Sequence, residues 1–323
     1  MQTTIDLNAV VRQVRDEVAP LVGTGKVADY IPALACVPID RFGIAVQTTD
    51  GDFACAGDAD VAFSIQSISK VLTLTLALEA RGDSMWKRVG KEPSGDPFNS
   101  LLQLEHECGI PRNPLINAGA LVVADCLVTD CERPLDTLLA RARSLANAEI
   151  QFDLEVAASE LATADRNAAM AHLMKSFGNL ENDVSTVLET YCHQCALAMS
   201  CRQLASAFSY LAGPKSADPN SAGSNSHPAG AAVGPEEARV VSVARARRIN
   251  ALMLTCGTYD RAGEFAFEVG LPAKSGVGGG IVAVIPGRGT VAVWSPGLGD
   301  SGNSVAGIDA LKRFVALTGW SVF

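Results

Sequence analysis

The sequence predicts an α+β protein, in which a mainly antiparallel sheet built from both chain ends is flanked by helices and carries an inserted helical subdomain. Three observations predict this fold class. Short alternating apolar segments, typical of strands, cluster near residues 42–56 and 265–294. The Ala- and Leu-rich stretch between 71 and 210 has helical spacing and almost no strand signal. Strands joined by tight turns pair antiparallel, so we expect the two groups of strands to meet in one sheet.

Composition narrows the function classes. The 323 residues, of which 48% are hydrophobic, are enough for two domains or one large domain with a substantial core. A formal net charge of −9 argues against binding to a nucleic-acid backbone, and 6% aromatic residues argue against base stacking. No apolar run approaches the roughly 18–20 residues that a membrane-spanning helix needs. We therefore expect an acidic, soluble, globular protein without nucleic-acid or membrane partners.

The N-terminal segment predicts a helix instead of a secretion signal. Leu7, Val11, Val14 and Val18 recur at steps of three and four residues, which is the spacing of an amphipathic helix. Charged residues such as Arg12 interrupt the apolar run that a signal peptide requires. We expect a cytoplasmic protein whose nine cysteines are free thiols.

Alternating apolar residues mark the strands of the sheet. Residues 42–56 predict a hairpin, because Asp50 and Gly51 supply a turn between two alternating segments. Three more strands are predicted near the C-terminal end, at residues 265–269, 281–285 and 290–294. A Pro-Gly-Arg-Gly turn joins the last two of these strands.

Two apolar segments with clear stop signals predict helices. One runs from Val71 to Ala80 and ends at Gly82, and the other spans 305–315 and ends at Gly319.

We predict three parts of the chain from these elements. Residues 1–70 plus 240–323 form the sheet-containing α/β subdomain, and residues 71–212 form the helical subdomain. Residues 213–239 are rich in Gly, Ala, Ser, Asn and Pro, which predicts a flexible surface loop.

The strongest local motif is Ser67-x-x-Lys70, which lies between a strand-like stretch at 61–66 and the helix that begins at Val71. On a helix, Ser67 and Lys70 are one turn apart and share a face. A serine hydroxyl needs a base before it becomes a nucleophile, and a buried lysine can supply a neutral amine. A helix N-terminus also stabilises developing negative charge. The motif predicts a serine nucleophile, although an ordinary capped helix has the same short pattern.

A second motif, Lys274-Ser275-Gly276, lies directly before the strand at 281–285. In serine acyl-enzymes of the β-lactamase and penicillin-binding type, S-x-x-K is joined by a K-[TS]-G motif on a strand beside the site. Both motifs occur here in that order, which favours the β-lactamase/DD-peptidase-like fold.

Two other polar patterns give weaker evidence for a functional site. Cys192 and Cys195 have the spacing of one pair of zinc ligands, but no second pair exists, so buried small hydrophobic residues are the better interpretation. The four histidines stand singly and no G-x-S-x-G segment accompanies them, which argues against a Ser-His-Asp site.

Longer blocks resemble the bacterial serine-dependent glutaminases. The resemblance runs from about residue 23 to the C-terminus, and its blocks are long and occur in order. They are VADYIP at 27–32, SIQSISK at 64–70, EPSG at 92–95, PRNPLINAGA at 111–120, GLPAKSGVGGGI at 270–281 and GNS at 302–304.

The resemblance implies a β-lactamase-like fold and the hydrolysis of L-glutamine to L-glutamate and ammonia, without a metal or organic cofactor. Ser67 would attack the side-chain carboxamide and form a γ-glutamyl ester, with Lys70 as the partner that activates it. Tyr191 matches a family tyrosine that relays a proton to the departing ammonia. Which of Lys70 and Tyr191 is the base in each step stays open. The backbone N–H groups of Ser67 and Val277 would form the oxyanion hole, and the family implies a homo-oligomer, either a dimer or a tetramer.

The resemblance also implies a set of substrate-binding residues beside Val277. They are Asn117, Glu160, Asn167 and Tyr259. Free glutamine carries an ammonium group, which suits the carboxylate of Glu160. Its carboxylate and carboxamide suit the amides and the tyrosine hydroxyl.

The chain departs from the family pattern at two places. Ala262 stands where members usually have serine in Tyr-Asp-x-Ser-Gly, so one hydroxyl is missing near the site, and the loop at 213–239 is longer than the family predicts. Two alternatives stay open beside the glutaminase. One is a β-lactamase- or peptidase-like serine hydrolase, for which a Ser-Asp-Asn segment and an export signal are missing. The other is a non-catalytic relative that binds glutamine.

Overall fold

The computed structural model describes residues 5–94, 101–213 and 240–323. The loop predicted at 213–239 therefore lies outside the described residues, apart from Gly213. The division of the chain into a sheet subdomain and a helical subdomain stays a prediction.

The described residues form eight strands. They are β1 (Gly43–Thr48), β2 (Phe53–Gly57), β3 (Phe63–Ser64), β4 (Gln151–Phe152), β5 (Leu197–Met199), β6 (Ala273–Ser275), β7 (Gly280–Ile285) and β8 (Gly289–Trp294).

The same residues form thirteen α-helices, none of which is long and apolar enough to cross a membrane. They are α1 (Leu7–Val18), α2 (Pro32–Ala35), α3 (Ser69–Arg81), α4 (Leu101–His106), α5 (Asn117–Asp130), α6 (Pro134–Ala146), α7 (Leu154–Ala162), α8 (Asp165–Ser176), α9 (Val184–Cys195), α10 (Cys201–Phe208), α11 (Val243–Cys256), α12 (Ala262–Glu268) and α13 (Val305–Thr318).

The main sheet confirms the prediction that both ends of the chain build it. Its five strands lie in the order β2-β1-β8-β7-β6, and every neighbouring pair is antiparallel. The β1–β2 hairpin from the N-terminal part pairs with β8, so that Ala45 lies opposite Ala292. The predicted hairpin and the predicted strands at 281–285 and 290–294 are therefore confirmed.

Both faces of this sheet are buried. Ala45 and Val282 point to the face that is covered by α3 and α10, whereas Ile44 and Val293 point to the face that is covered by α1 and α13. Successive side chains of a strand alternate between the faces, so a strand that is covered on both sides is apolar along its whole length. This explains why every residue of β7 and β8 is buried.

The predicted helices at 71–80 and 305–315 are confirmed. They lie in α3 and α13, and they end at Gly82 and Gly319, whose φ values are +55° and +68°. A positive φ costs glycine little, so each glycine terminates its helix without strain.

The strand predicted at 265–269 is wrong, because these residues lie in α12 and directly after it. Phe265 and Phe267 suggested an alternating strand. On a helix, however, residues two apart point to nearly opposite sides. Phe265 is accordingly 3% exposed and Phe267 is 92% exposed. The strand that pairs with β7 at this edge of the sheet is β6 instead.

A second, three-stranded sheet in the order β3-β5-β4 was not predicted, although β3 lies within the strand-like stretch at 61–66. The other two strands have two and three residues, which is too short for an alternating pattern to be recognised. Ile65, directly after β3, donates its N–H to Leu197 O at 2.9 Å. The small sheet therefore fixes the chain two residues before Ser67.

Candidate active site

Ser67 lies in the tight connection between β3 and α3, where Gln66–Ile68 form a 3-10 turn. Gln66 has a φ of +51°, a left-handed conformation that costs a non-glycine residue conformational energy. Its side chain is fixed by a chain of hydrogen bonds, since Nε2 donates to Ser64 Oγ at 2.9 Å and that hydroxyl donates to Cys195 O at 2.9 Å. A constrained turn therefore presents Ser67 at the start of the central helix.

The glycine-rich segment after β6 packs directly against this turn. A Cβ atom at Gly276 would lie 2.3 Å from Ile65 O, and one at Gly278 would lie 2.3 Å from Ser64 O. Real Cβ atoms do not approach a carbonyl oxygen so closely, so these positions require glycine. The close approach brings Val277 and Ser67 to the same cavity.

That cavity has a volume of about 410 Å³, a size typical of small-molecule sites. It collects seven of the eight side chains that the sequence singled out, although each of them comes from a different helix, turn or loop. These residues are Ser67, Asn117, Glu160, Asn167, Tyr191, Tyr259 and Val277. The eighth, Lys70, lies behind the wall of the cavity.

Lys70 is fully buried on α3. Its Nζ atom donates to Asn117 Oδ1 at 2.6 Å and to Leu115 O at 3.3 Å, and it lies 5.8 Å from the ring centroid of Tyr191. Burial lowers the pKa of Lys70 to about 8, while the charges of Cys195 and Glu160 act in the opposite direction. A substantial fraction of the amine is therefore neutral in mildly alkaline solution, as a general base requires.

Among the described residues, no hydrogen bond joins Lys70 to Ser67. The hydroxyl of Tyr259 lines the same cavity as Ser67, and its interaction with the Ser67 side chain acts to lower the pKa of Tyr259. Hydrogen bonds between a nucleophile and its base are often long in unliganded enzymes and tighten when substrate binds. The lack of a Lys70–Ser67 hydrogen bond among the described residues is therefore compatible with Lys70 as the base.

Glu160, on α7, is an acid that lines the cavity and is 7% exposed. Its Oε2 atom has no hydrogen-bond partner among the described residues. Burial raises the pKa of Glu160 to about 7, while the polar groups of Cys195 and Gln66 and the charge of Lys70 act in the opposite direction. A buried carboxylate oxygen without a partner is costly, and a bound ammonium group would supply the missing donor.

Two amides extend the polar wall between Lys70 and the cavity mouth. Asn117 is the first residue of α5, and its Nδ2 donates to Asn167 Oδ1 on α8 at 3.1 Å. Because Asn117 Oδ1 already accepts from Lys70, the orientation of both amides is determined. Asn167 therefore directs its own N–H₂ group, a donor, away from Asn117.

Two tyrosines complete the polar wall. Tyr191, on α9, is fully buried, and burial raises its pKa well above the usual range. Tyr259 has a φ of +55°, and its hydroxyl donates to Ser275 O at 3.3 Å. Burial raises the pKa of Tyr259 too, so both hydroxyls keep their protons and serve as donors.

Sequence reasoning missed several residues that line the cavity. They are Tyr30, Ile31, Gln66, Thr163, Arg166, Asp260, Leu298, Asp300, Ser301 and Gly302. Some of them belong to the matching blocks at 27–32, 64–70 and 302–304, so the blocks contained a signal, but no chemical motif identified the individual residues. Charged residues such as Arg166 and Asp300 lie on loops and helix ends that only the fold brings together.

The two cysteines considered as zinc ligands, Cys192 and Cys195, are buried free thiols. In the part of the chain that the structure describes, no three His, Cys, Asp or Glu side chains are placed to hold a metal ion.

Comparisons with known proteins agree on one family. The profile of the Glutaminase family matches residues 25–323. The Glutaminase of Yersinia pestis bv. Antiqua (strain Nepal516) is 54% identical over 325 residues, which cover 100% of both chains. A solved structure titled probable glutaminase ybaS is 35% identical, with a TM-score of 0.84 over 98% of both chains. A probable glutaminase from Bacillus subtilis, complexed with 6-diazo-5-oxo-L-norleucine, is 32% identical, with a TM-score of 0.83 over 100% of this chain and 99% of that one.

Proposed function

Since the chain belongs to the glutaminase family, we propose that its cavity binds free L-glutamine and hydrolyses the side-chain carboxamide to give L-glutamate and ammonia. The observation that carries the proposal is the pairing of two groups in one cavity: a serine on a constrained turn and a buried carboxylate whose Oε2 has no hydrogen-bond partner in residues 5–94, 101–213 and 240–323. The first suits attack on a carboxamide, and the second suits the ammonium group of an amino acid.

In the proposed first half-reaction, Ser67 Oγ attacks the carboxamide carbon of glutamine. The Oγ–C bond forms, the C–N bond breaks and the serine proton ends on the departing ammonia. Lys70 in its neutral form accepts the serine proton, and Tyr191 relays a proton to the leaving nitrogen. Lys70 suits this role because burial lowers its pKa to about 8, so that its neutral form is accessible.

In the proposed second half-reaction, water attacks the γ-glutamyl ester on Ser67. The ester C–O bond breaks, the serine regains its proton and glutamate leaves. The backbone N–H groups of Ser67 and Val277 stabilise the oxyanion in both steps. The tight packing of Gly276 and Gly278 against the Ser67 turn supports this assignment, since fixed donors are what an oxyanion site requires.

We propose that Glu160 binds the α-ammonium group of glutamine. Asn117, Asn167 and Tyr259 hold its α-carboxylate and carboxamide, for which the amide and hydroxyl donors described above are suited. The Bacillus subtilis relative was complexed with 6-diazo-5-oxo-L-norleucine, an L-amino acid with a carbonyl group at carbon 5, where glutamine has its carboxamide carbon. We propose the same ligand class for this cavity.

The proposal uses side chains and backbone groups alone, without a metal or an organic cofactor. From the family resemblance we also propose a homo-oligomer, a dimer or a tetramer. From the charged residues that interrupt the apolar N-terminal segment we propose that it acts in the cytoplasm.

The direct test is ammonia release from L-glutamine by purified protein. We expect Ser67→Ala to abolish release and Ser84→Ala, an exposed serine on the turn after α3, to retain it. Full activity of Ser67→Ala would contradict the proposal. Parallel assays with asparagine and a chromogenic cephalosporin separate the glutaminase from a β-lactamase-like hydrolase, and calorimetric binding of glutamine without ammonia release would identify a non-catalytic relative.

A further inference from the structure

Lys274, on β6, is a fully buried lysine for which the proposed mechanism has no role. It is among the largest completely buried side chains of the described chain, and it forms no ion pair with a carboxylate there. Burying an amine without a carboxylate partner is unfavourable, so its retention needs an explanation.

The contacts of the Lys274 amine lead to one neighbour. Nζ donates to Gly257 O at 3.0 Å and to Ser275 O at 2.7 Å, and it lies 4.5 Å from the ring centroid of Tyr259. The hydroxyl of the same tyrosine donates to Ser275 O at 3.3 Å. Lys274 thus contacts the face of the Tyr259 ring, shares a hydrogen-bond acceptor with its hydroxyl and holds the backbone two residues before it.

We infer that Lys274 is a positioning residue that holds the Tyr259 hydroxyl against Ser67. The inference deepens the proposed glutaminase function and rests on it. Lys274 itself does not line the cavity, so it acts through Tyr259 and not on the substrate.

The backbone near Tyr259 shows why an anchor is needed. Tyr259 has a left-handed φ of +55°, which a non-glycine residue adopts only when its surroundings hold it. At Gly257 the chain passes so close to β6 that a Cβ atom would lie 1.7 Å from Ala273 O. The segment 257–259 therefore packs on β6, and the hydrogen bond from the Lys274 amine to Gly257 O joins this segment to the strand.

The charge state of Lys274 is consistent with this role. Burial lowers the pKa of Lys274 well below its usual range, and the charge of Lys70 lowers it further. A neutral amine still donates two hydrogen bonds, which is the number that Gly257 O and Ser275 O accept from it.

Replacement by methionine is the sharpest perturbation. Lys274→Met keeps the length and the burial of the side chain but removes the donor. Both carbonyls retain another partner, because Gly257 O accepts from Ser275 N at 3.1 Å and Ser275 O accepts from Tyr259. We therefore expect the variant to fold, which circular dichroism and thermal unfolding would verify.

The test is a double-mutant cycle with Tyr259→Phe, which removes only the hydroxyl, read as kcat/KM for ammonia release from glutamine. With Lys274 present, we expect loss of the hydroxyl to lower kcat/KM by at least about tenfold. In the Lys274→Met background, we expect the same change to have an effect of less than about threefold, since a hydroxyl that is not held contributes little. We also expect Lys274→Met and Tyr259→Phe to divide their losses between kcat and KM in the same way.

Lys175→Met is the matched control, because the Lys175 Nζ atom also donates to a backbone carbonyl, that of Asn182 at 2.6 Å, but Lys175 is an exposed residue of α8. It should leave kcat and KM unchanged. An equal effect of Tyr259→Phe in both backgrounds, or wild-type activity of Lys274→Met, would overturn the inference. So would the failure of both Lys274→Met and Lys274→Gln to fold, which would assign the lysine to fold maintenance. Absence of glutaminase activity in the wild type would instead refute the proposed function itself.

Discussion

Glu160→Gln is the substitution that best separates binding chemistry from fold stability at this site. It removes the charge proposed to hold the substrate ammonium and keeps the size of the side chain. Two unit charges about 4 Å apart attract by about 4 kcal/mol at the effective dielectric constant of such sites. Because the amide dipole recovers part of this, we expect a loss of about 2–4 kcal/mol, which corresponds to a roughly 30- to 1,000-fold decrease in kcat/KM.

The pH dependence of kcat/KM gives a second signature of the same change. Burial raises the pKa of Glu160 to about 7 and lowers that of Lys70 to about 8, and both groups must lose a proton to act as proposed. The logarithm of kcat/KM should therefore rise with pH through two ionisations, with a limiting slope of about two on the acid side. In Glu160→Gln, we expect a slope of about one and a midpoint below pH 8, because the Glu160 charge raises the pKa of Lys70.

Stability should change in the opposite direction to activity. The pKa of Glu160 is raised by burial from 4.5 to about 7, so ionisation destabilises the folded state, and this cost develops as the pH rises through that interval. At pH 8, we expect Glu160→Gln to gain up to about 3 kcal/mol in the free energy of unfolding. Urea unfolding measures this gain, and ammonia release between pH 5.5 and 9.5 measures the activity.

Glu155→Gln is the matched control, since Glu155 is an exposed acid on the same helix, α7. Glu155→Gln should change neither kcat/KM nor the free energy of unfolding. A Glu160→Gln enzyme that keeps kcat/KM within about threefold and retains a slope of two would refute the assignment of the ammonium to this carboxylate.

Three further outcomes are expected from other parts of the molecule. Gly278→Ala should lower kcat at least about 100-fold in the ammonia assay, because its Cβ atom would lie 2.3 Å from Ser64 O. Gly263→Ala should stay active, because no atom lies within 4 Å of the added Cβ. Equal activity of the two variants would contradict the packing required at Gly278. Asp125 is fully buried and accepts hydrogen bonds from Arg88 Nη2 at 2.5 Å and from Asn182 N at 2.8 Å. Asp125→Asn should therefore lower the free energy of unfolding, measured in urea, by about 3–5 kcal/mol. The control Asp136→Asn, at an exposed residue, should lower it by less than about 0.5 kcal/mol. Dialysis against EDTA should leave ammonia release intact. A loss of activity that added zinc reverses would instead support a zinc site at Cys192 and Cys195.

Local patterns were sufficient for much of the fold. The apolar run and stop signal of α3, the alternation of β7 and β8 and the Asp50-Gly51 turn are properties of neighbouring residues, and the structure confirms them. The β-lactamase-like fold expected from the motif order is confirmed as well, through the solved glutaminases that share it. The error at 265–269 arose because a short apolar alternation fits a strand and a helix equally well until burial is known.

The site depended on contacts that sequence reasoning does not reach. The hydrogen bonds from Lys70 to Asn117 and on to Asn167 join three helices. That Glu160 Oε2 finds no hydrogen-bond partner within the described part of the chain is likewise a property of the folded interior. Lys274 appeared in the sequence as part of a motif, but its contact with Tyr259 follows only from the packing of the 257–259 segment on β6.

The pairing of β1 with β8 also has a consequence for synthesis. Ala45 leaves the ribosome early, yet its partner Ala292 emerges only when most of the chain has been made. At about 5–20 residues per second, the N-terminal hairpin must wait on the order of 10–50 s for the strand that covers its inner edge. During that interval, an apolar strand edge is open to wrong partners, and chaperones that bind nascent chains protect such edges. The yield of folded enzyme should therefore depend on translation speed and chaperone supply more strongly than its equilibrium stability suggests.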